Sequence, residues 1–251
     1  MTKSKIGLIY QPCGLGDILF LQKLAYTMLH EGYEVWWPVV SEFAWLDERL
    51  PWHMVSWQDE GNKLTGPPLP DTVEFPHKGQ YWPYNTNAKG EDLWFFQGFG
   101  NYDQVMAGKY KSVGMDWSDW ADYVWFHRSP DKELRLFSQL LGLYQGEDYV
   151  VVNRNYGVRP EVLTHTSISL DPNYYGCRVI ELNMFPGYTL FDWCMVFENA
   201  KRIDMIETSF NYMLESPQMF DKIKDKELNL YSRKGWFGEV DYLFRLPWNY
   251  K

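Results

Sequence analysis

The segment "QPCGLGDILFLQKL" (residues 11–24) places Asp17 three residues after Gly14 and one after Gly16, between an apolar run, Ile6–Tyr10, and a helix-like stretch from Ile18. Glycine permits positive φ and lets a ligand approach the backbone closely. The amides that open a helix are unsatisfied donors and favour negative charge. A carboxylate at such a turn reads either as a helix cap or as a proton acceptor aimed at a substrate. A dinucleotide-binding turn would need a third glycine where Leu19 stands, which counts against a nicotinamide-dependent oxidoreductase.

Other residues of suitable type lie in the second half. Glu207-Thr208-Ser209 closes the strand-like "RIDMIE" (202–207) and opens the helix-like "TSFNYMLES" (208–216). Ligands of open α/β sheets bind at the carboxyl ends of strands. The hydroxyls of Thr208 and Ser209, with free helix amides, suit a diphosphate, and they equally suit a cap. Asn153-Arg154-Asn155 follows "YVVV", where an arginine can grip phosphate with its forked donors or simply mark a strand end. Tyr81, Trp82, Tyr84, Trp94, Phe95 and Phe96 read as an acceptor groove or as packing. His77, His127 and His165 have no partners at metal-ligand spacing, and Asp116, Asp119 and Asp122 read as the solvated face of a helix. No Asp-x-Asp pair follows a strand, and no metal site is expected.

These residues need elements to hold them. Lys5–Tyr10 reads as a buried strand. Ile18, Leu21, Leu24, Ala25 and Met28 form one face of a helix, Gly32 closes it, and Tyr33–Val40 is a second strand. Such a β-α-β unit crosses right-handedly into a parallel sheet. Residues 56–100 read as loops around a short strand at 72–75. Helical patterning follows at 102–110, 117–126 and 131–143, the last with Ser129 as cap and Pro130 at its first position. A second α/β pattern comprises strands at 149–153, 177–182, 202–207 and 227–233, with helices at 189–201 and 208–216. The reading is an α/β chain of two Rossmann-like halves with parallel sheets, residues 1–145 and 146–251.

The composition narrows the partners. A formal net charge of −9 over 251 residues argues against nucleic acid or an anionic membrane surface as a partner. No apolar stretch is long enough to span a bilayer, and the first residues lack the pattern of a signal peptide. Cys13, Cys177 and Cys194 are odd in number and far apart, which suits reduced thiols. The expectation is a cytoplasmic protein.

Taken together, the two halves resemble the GT-B glycosyltransferases, and among them the ADP-heptose:lipopolysaccharide heptosyltransferase family. Gly14-Leu15-Gly16-Asp17-Ile18-Leu19 has the form of that family's first turn. Gly187-Tyr188-Thr189-Leu190 and the segment Ile206-Glu207-Thr208-Ser209-Phe210-Asn211-Tyr212 stand where the family has its second-half motifs. There Glu207 replaces an aspartate, Ser209 a glycine and Tyr212 a histidine. The resemblance implies an inverting, metal-independent transfer from a nucleotide-diphosphate sugar to an acceptor hydroxyl. Asp17 would be the general base in a cleft between the halves. Gly14, Gly16, Asn153, Arg154, Glu207, Thr208, Ser209 and Tyr212 would contact substrate. The first half would take a carbohydrate or glycoconjugate acceptor and the second the nucleotide sugar, a co-substrate, with no further cofactor. The departures in the second half motivate the alternative, a GT-B-like nucleotide- or sugar-binding or scaffold protein without catalysis.

Overall fold

The computed structural model describes residues 5–11, 14–60, 63–65, 87–97, 105–142, 146–157, 163–165, 174, 176–183, 185–233 and 240–251. The chain divides into two compact units, Met1–Tyr123 and Val124–Lys251. The division precedes the expected 145/146 because helix Pro130–Leu141 packs on the helical segments at 190–199 and so belongs to the second unit.

The first unit runs β1 (Lys5–Tyr10), α1 (Leu15–Phe20), α2 (Gln22–His30), β2 (Tyr33–Val40), β3 (His53–Glu60), β4 (Lys63–Thr65), β5 (Ala88–Lys89), β6 (Leu93–Gln97) and α3 (Val105–Lys111). Short 3-10 helices cover Ser41–Glu48 and Trp120–Tyr123. The sheet has the order β4-β3-β2-β1-β6-β5. Its inner four strands are parallel, and β4 and β5 close the edges antiparallel. Gly7, in the middle of β1, lets α2 come close: a Cβ there would lie 2.8 Å from Met28 Sδ. The helix expected from Ile18 starts at Leu15 and breaks at Leu21.

Two expectations for this unit fail. Residues 56–100 hold most of β3 together with β4, β5 and β6, and β6 is the direct neighbour of β1. Trp94, Phe95 and Phe96 are buried in β6. A strand buried on both faces shows no alternation, so these aromatics serve the core. The strand expected at 72–75, with Tyr81, Trp82, Tyr84 and His77, lies outside the described residues. The helix expected at 117–126 is a single 3-10 turn. Asp116 accepts from the Ser118 amide (3.1 Å), and Lys23 binds the Asp116 carbonyl (2.7 Å) and the Asp119 carboxylate. These bonds replace the i,i+4 ladder of a longer helix.

The second unit runs α4 (Pro130–Leu141), β7 (Tyr149–Asn153), β8 (Asn155–Gly157), β9 (Leu163–His165), β10 (Arg178–Glu181), α5 (Cys194–Asn199), β11 (Arg202–Ile206), α6 (Ser209–Leu214), α7 (Pro217–Ile223), β12 (Glu227–Tyr231), α8 (Val240–Leu243) and β13 (Asn249–Tyr250). Its sheet, β10-β7-β11-β12-β13, is parallel throughout. The α/β class and parallel sheets therefore stand as expected. The helix expected at 189–201 divides into a 3-10 turn, Leu190–Trp193, and α5, with Thr189 and Asp192 forming a capping box.

Polar groups pin this sheet from within. Asp204, fully buried on β11, receives a two-pronged contact from Arg202 (2.7 and 2.8 Å), with Tyr174 and Asn229 donating to it as well. Arg128 joins Glu133 of α4 to Glu198 of α5. Cys194 is buried and Cys177 half-buried, both as free thiols, while Cys13 lies outside the described residues. Among the described residues no helix is long and apolar enough to cross a membrane.

Glu215, after α6, holds the last strand in place. Its buried carboxylate accepts from the amides of Arg245 (2.8 Å) and Leu246 (3.1 Å) and from Trp248 Nε1 (3.1 Å). Burial outweighs these bonds and pushes its carboxyl up to about 7. A folded-state value above the unfolded one stabilises fully below the unfolded value, and that contribution is lost as pH rises through the folded value. Thermal melts should therefore lose stability between about pH 4.5 and 7 through this group. Glu215→Gln should flatten that dependence whatever it does to the absolute Tm; an unchanged slope would assign it to other groups.

Candidate functional site

In each unit the strand order reverses beside the first strand. In the first unit β1 lies between β2 and β6; in the second, β7 lies between β10 and β11. At such a reversal the connections leave in opposite directions and open a crevice outside the carboxyl ends of the strands. The residues singled out from the sequence follow these strand ends.

In the first unit, Gly14 is the N-cap of α1, with φ 82° and ψ 86°. Asp17 is thus in the first helical turn and is not the cap, which removes the plain capping role from it. Its side chain is 28% exposed, and Oδ1 accepts from the Lys109 ammonium. Lys109 comes from α3, the helix after β6, and is only 3% exposed. It also donates to Gln11 Oε1 (3.1 Å), while the Gln11 carbonyl accepts from Trp37 Nε1 (3.1 Å). The other carboxylate oxygen of Asp17, Oδ2, lies over Gly14, where an added Cβ would collide with it. Gly16 is half-buried within the same turn. At the end of β6, Gln97 is buried, and its side-chain oxygen has no hydrogen-bond partner among the described residues.

In the second unit, Asn153 Nδ2 at the end of β7 donates to Thr208 Oγ1 (3.2 Å), so the structure joins the two strand ends expected to contact substrate. Thr208 is the N-cap of α6 and forms a capping box with Asn211, whose Oδ1 accepts from the Thr208 amide (2.7 Å). Ser209 is the first helical residue. Glu207 pairs with Arg233 (2.9 Å), a basic partner that keeps its carboxylate occupied. The Arg233 guanidinium also lies 5.8 Å from the centre of the Tyr156 ring, so from beyond β12 it reaches a side chain on β8. Two buried donors here, Arg154 Nε and Asn211 Nδ2, have no hydrogen-bond partner among the described residues, although Arg154 Nε lies 3.9 Å from a Glu181 carboxylate oxygen. Buried donors left unmatched favour an anion or other acceptor. Tyr212 is elsewhere: buried in α6, it packs edge-on against Phe244, 5.2 Å between ring centres.

Lys109 and Arg233 were not singled out from the sequence. The one available signal for Lys109 was its place between Ala107 and Tyr110 in a helical segment, both of which are fully buried. Its partner Asp17 is 92 residues away, and no local pattern reveals that. Among the described residues no group of three or more His, Cys, Asp or Glu could hold a metal ion.

No protein-family model matches the sequence, nor does any curated protein. Solved structures do align with the chain. A glycosyl transferase family 9 protein from Veillonella parvula DSM 2008 aligns over 100% of this chain and 87% of its own, with a TM-score of 0.52 and 7% identity. This chain shares its fold. The iron-containing dodecameric glycosyltransferase TibC from enterotoxigenic E. coli H10407 aligns over 94% of this chain and 61% of its own, with a TM-score of 0.45 and 10% identity.

The turn at Gly14 is directly testable. Alanine there meets a positive φ and the Asp17 carboxylate together. Gly14→Ala should cost about 1–2 kcal/mol in urea unfolding from the backbone alone, and more if Asp17 cannot move. A variant as stable as the parent would mean that the turn has another conformation.

Proposed function

We propose that the chain is a glycosyltransferase moving a sugar from a nucleoside-diphosphate donor to an acceptor hydroxyl with inversion. The observation that carries this reading is Asp17: a half-exposed carboxylate held at the strand-order reversal of the first unit, in a chain with the fold of a family 9 glycosyl transferase. In this reading the first unit takes a carbohydrate or glycoconjugate acceptor. Its corner is rich in acceptor oxygens (the Asp17 carboxylate, Gln11 and the Gln97 oxygen, which has no hydrogen-bond partner among the described residues), which suits a polyhydroxylated ligand. The second unit takes the donor. Its corner is rich in hydrogen-bond donors: Arg154, Arg233, Ser209 and the unmatched Asn211 amide.

The chemistry follows from these charges. A sugar hydroxyl is a weak nucleophile near neutrality, so Asp17 accepts its proton as the oxygen attacks the anomeric carbon. The bond from that carbon to the diphosphate breaks, and the electron pair leaves with the phosphate. Arginine side chains and backbone amides meet the developing charge, and no metal is required for this step. Catalysis-free nucleotide binding is the second reading, favoured by the engagement of Glu207 with Arg233 and of Thr208 in a cap.

Two experiments separate these readings. Turnover is followed as nucleoside-diphosphate release from a panel of nucleotide sugars, with and without added saccharides and in the presence of a chelator. Asp17→Asn should lower turnover by about 10²-fold or more while nucleotide affinity holds. No turnover by the unmodified chain, with nucleotide still bound, would favour the binding protein. Separately, Thr208→Ala combined with Ser209→Ala should weaken nucleoside-diphosphate binding by calorimetry and keep the melting profile. Unchanged affinity would leave that turn a helix start and nothing more.

A further inference from the structure

Lys109 is a buried ammonium with no evident structural need for its charge. A buried cation is tolerated only with a carboxylate and further hydrogen bonds around it. Lys109 has both, in Asp17 Oδ1 and Gln11 Oε1. An apolar side chain on α3 would fill the same space without that desolvation cost. Helix α3 is itself tied to α1: Tyr110 donates to the Phe20 carbonyl (2.5 Å), and the two rings pack edge to face at 5.0 Å. The ammonium is therefore fixed relative to the turn that carries Asp17. On the other side of the carboxylate, Gly14 leaves open the space that Oδ2 occupies.

We propose that Lys109 is the positioning residue for Asp17, holding Oδ1 so that Oδ2 alone receives the acceptor's proton. This deepens the transferase reading and rests on it. In the step, the acceptor O–H bond breaks and its proton passes to Oδ2. The freed electron pair forms the bond to the anomeric carbon, and the diphosphate leaves with the pair of the broken C–O bond. Lys109 keeps all its protons throughout. Its ammonium fixes the carboxylate rotation, so that the accepting oxygen is the one nearer the open backbone of Gly14. The lysine acts through Asp17 and has no other part in the reaction, and this gives it a signature different from that of a packing residue.

The test uses the full chain and the nucleotide-sugar assay above, with Lys109→Met, Lys109→Arg, Asp17→Asn and the Asp17→Asn/Lys109→Met pair. Methionine keeps the volume of the stem, and thermal melts check each fold. Lys109→Met should lower kcat by about 10²-fold, the effect of a misplaced catalytic group, with the donor KM nearly unchanged, and Lys109→Arg should recover part of the loss. In the Asp17→Asn background, Lys109→Met should cost nothing further. Parental kcat in Lys109→Met would overturn the role of the lysine while leaving that of Asp17 intact. A further loss of the same size in the Asn background would make Lys109 a packing residue. No turnover by the unmodified chain would overturn the base role and this proposal with it.

Discussion

Parallel pairing on both sides of one central strand is the constraint from which the rest of this molecule follows. Parallel strands send all their carboxyl ends to one side, and each must be reached by a crossover. Where neighbours lie on both sides of the first strand, the crossovers diverge and their loops cannot cover the gap. In the first unit β1 meets β2 and β6 in this way; in the second, β7 meets β10 and β11. Side chains following those strands therefore face an uncovered corner whatever their type. Chemistry enters with what was placed there: a carboxylate and a buried lysine in one unit, arginines and an amide pair in the other.

The two corners differ in how charge is managed. The Asp17–Lys109 pair joins helices that follow adjacent strands, with one partner buried and the other half-exposed. Glu207 and Arg233 are closer to the surface and face each other as two long side chains, where an ion pair contributes little to stability. The heavily buried pairing in the second unit lies within the sheet and its helices, at Arg202–Asp204 and Arg128–Glu133–Glu198. In the second unit the more buried charge pairing thus lies beneath the strand ends and the more exposed pair above them.

Much of this was legible locally. The limits of β1 and β7 follow from apolar runs that end before Gln11-Pro12 and at Asn153, β2 follows from its β-branched and aromatic bias although it runs two residues past Pro38, and the parallel class follows from their alternation with helical spacing. Asp17 and Thr208 were visible because glycine and hydroxyl side chains mark turns after strands. What escaped was set at long range. Strand β6 is four apolar residues and a glutamine amid Gly-, Asn- and Asp-rich sequence, and only pairing with β1 makes it central. Lys109 looks like any helical lysine until α3 is laid beside α1. Tyr212, taken from the resemblance as a ligand contact, is at a helical position whose neighbours Phe210 and Met213 are buried, and the packing of α6 against Phe244 claims it. The first unit's end at Tyr123 was hidden for a similar reason, since the aromatic run 117–126 reads as one helix until Lys23 is seen binding the Asp116 carbonyl and Asp119.

The hydrogen bonds of Glu215 carry a consequence for how the chain acquires its structure. Trp248, the last of its partners, follows it by 33 residues in sequence. During synthesis the carboxylate is made long before the groups that will enclose it, and until then it has every reason to stay in water. Domains fold as units, and N-terminal ones fold first as the chain emerges. The first unit can complete its sheet on the ribosome. The second has its central strands early, yet its interior remains wet at one point until residues 245–248 have emerged, so closure of that pocket waits for the last of its partners and cannot accompany the pairing of the central strands.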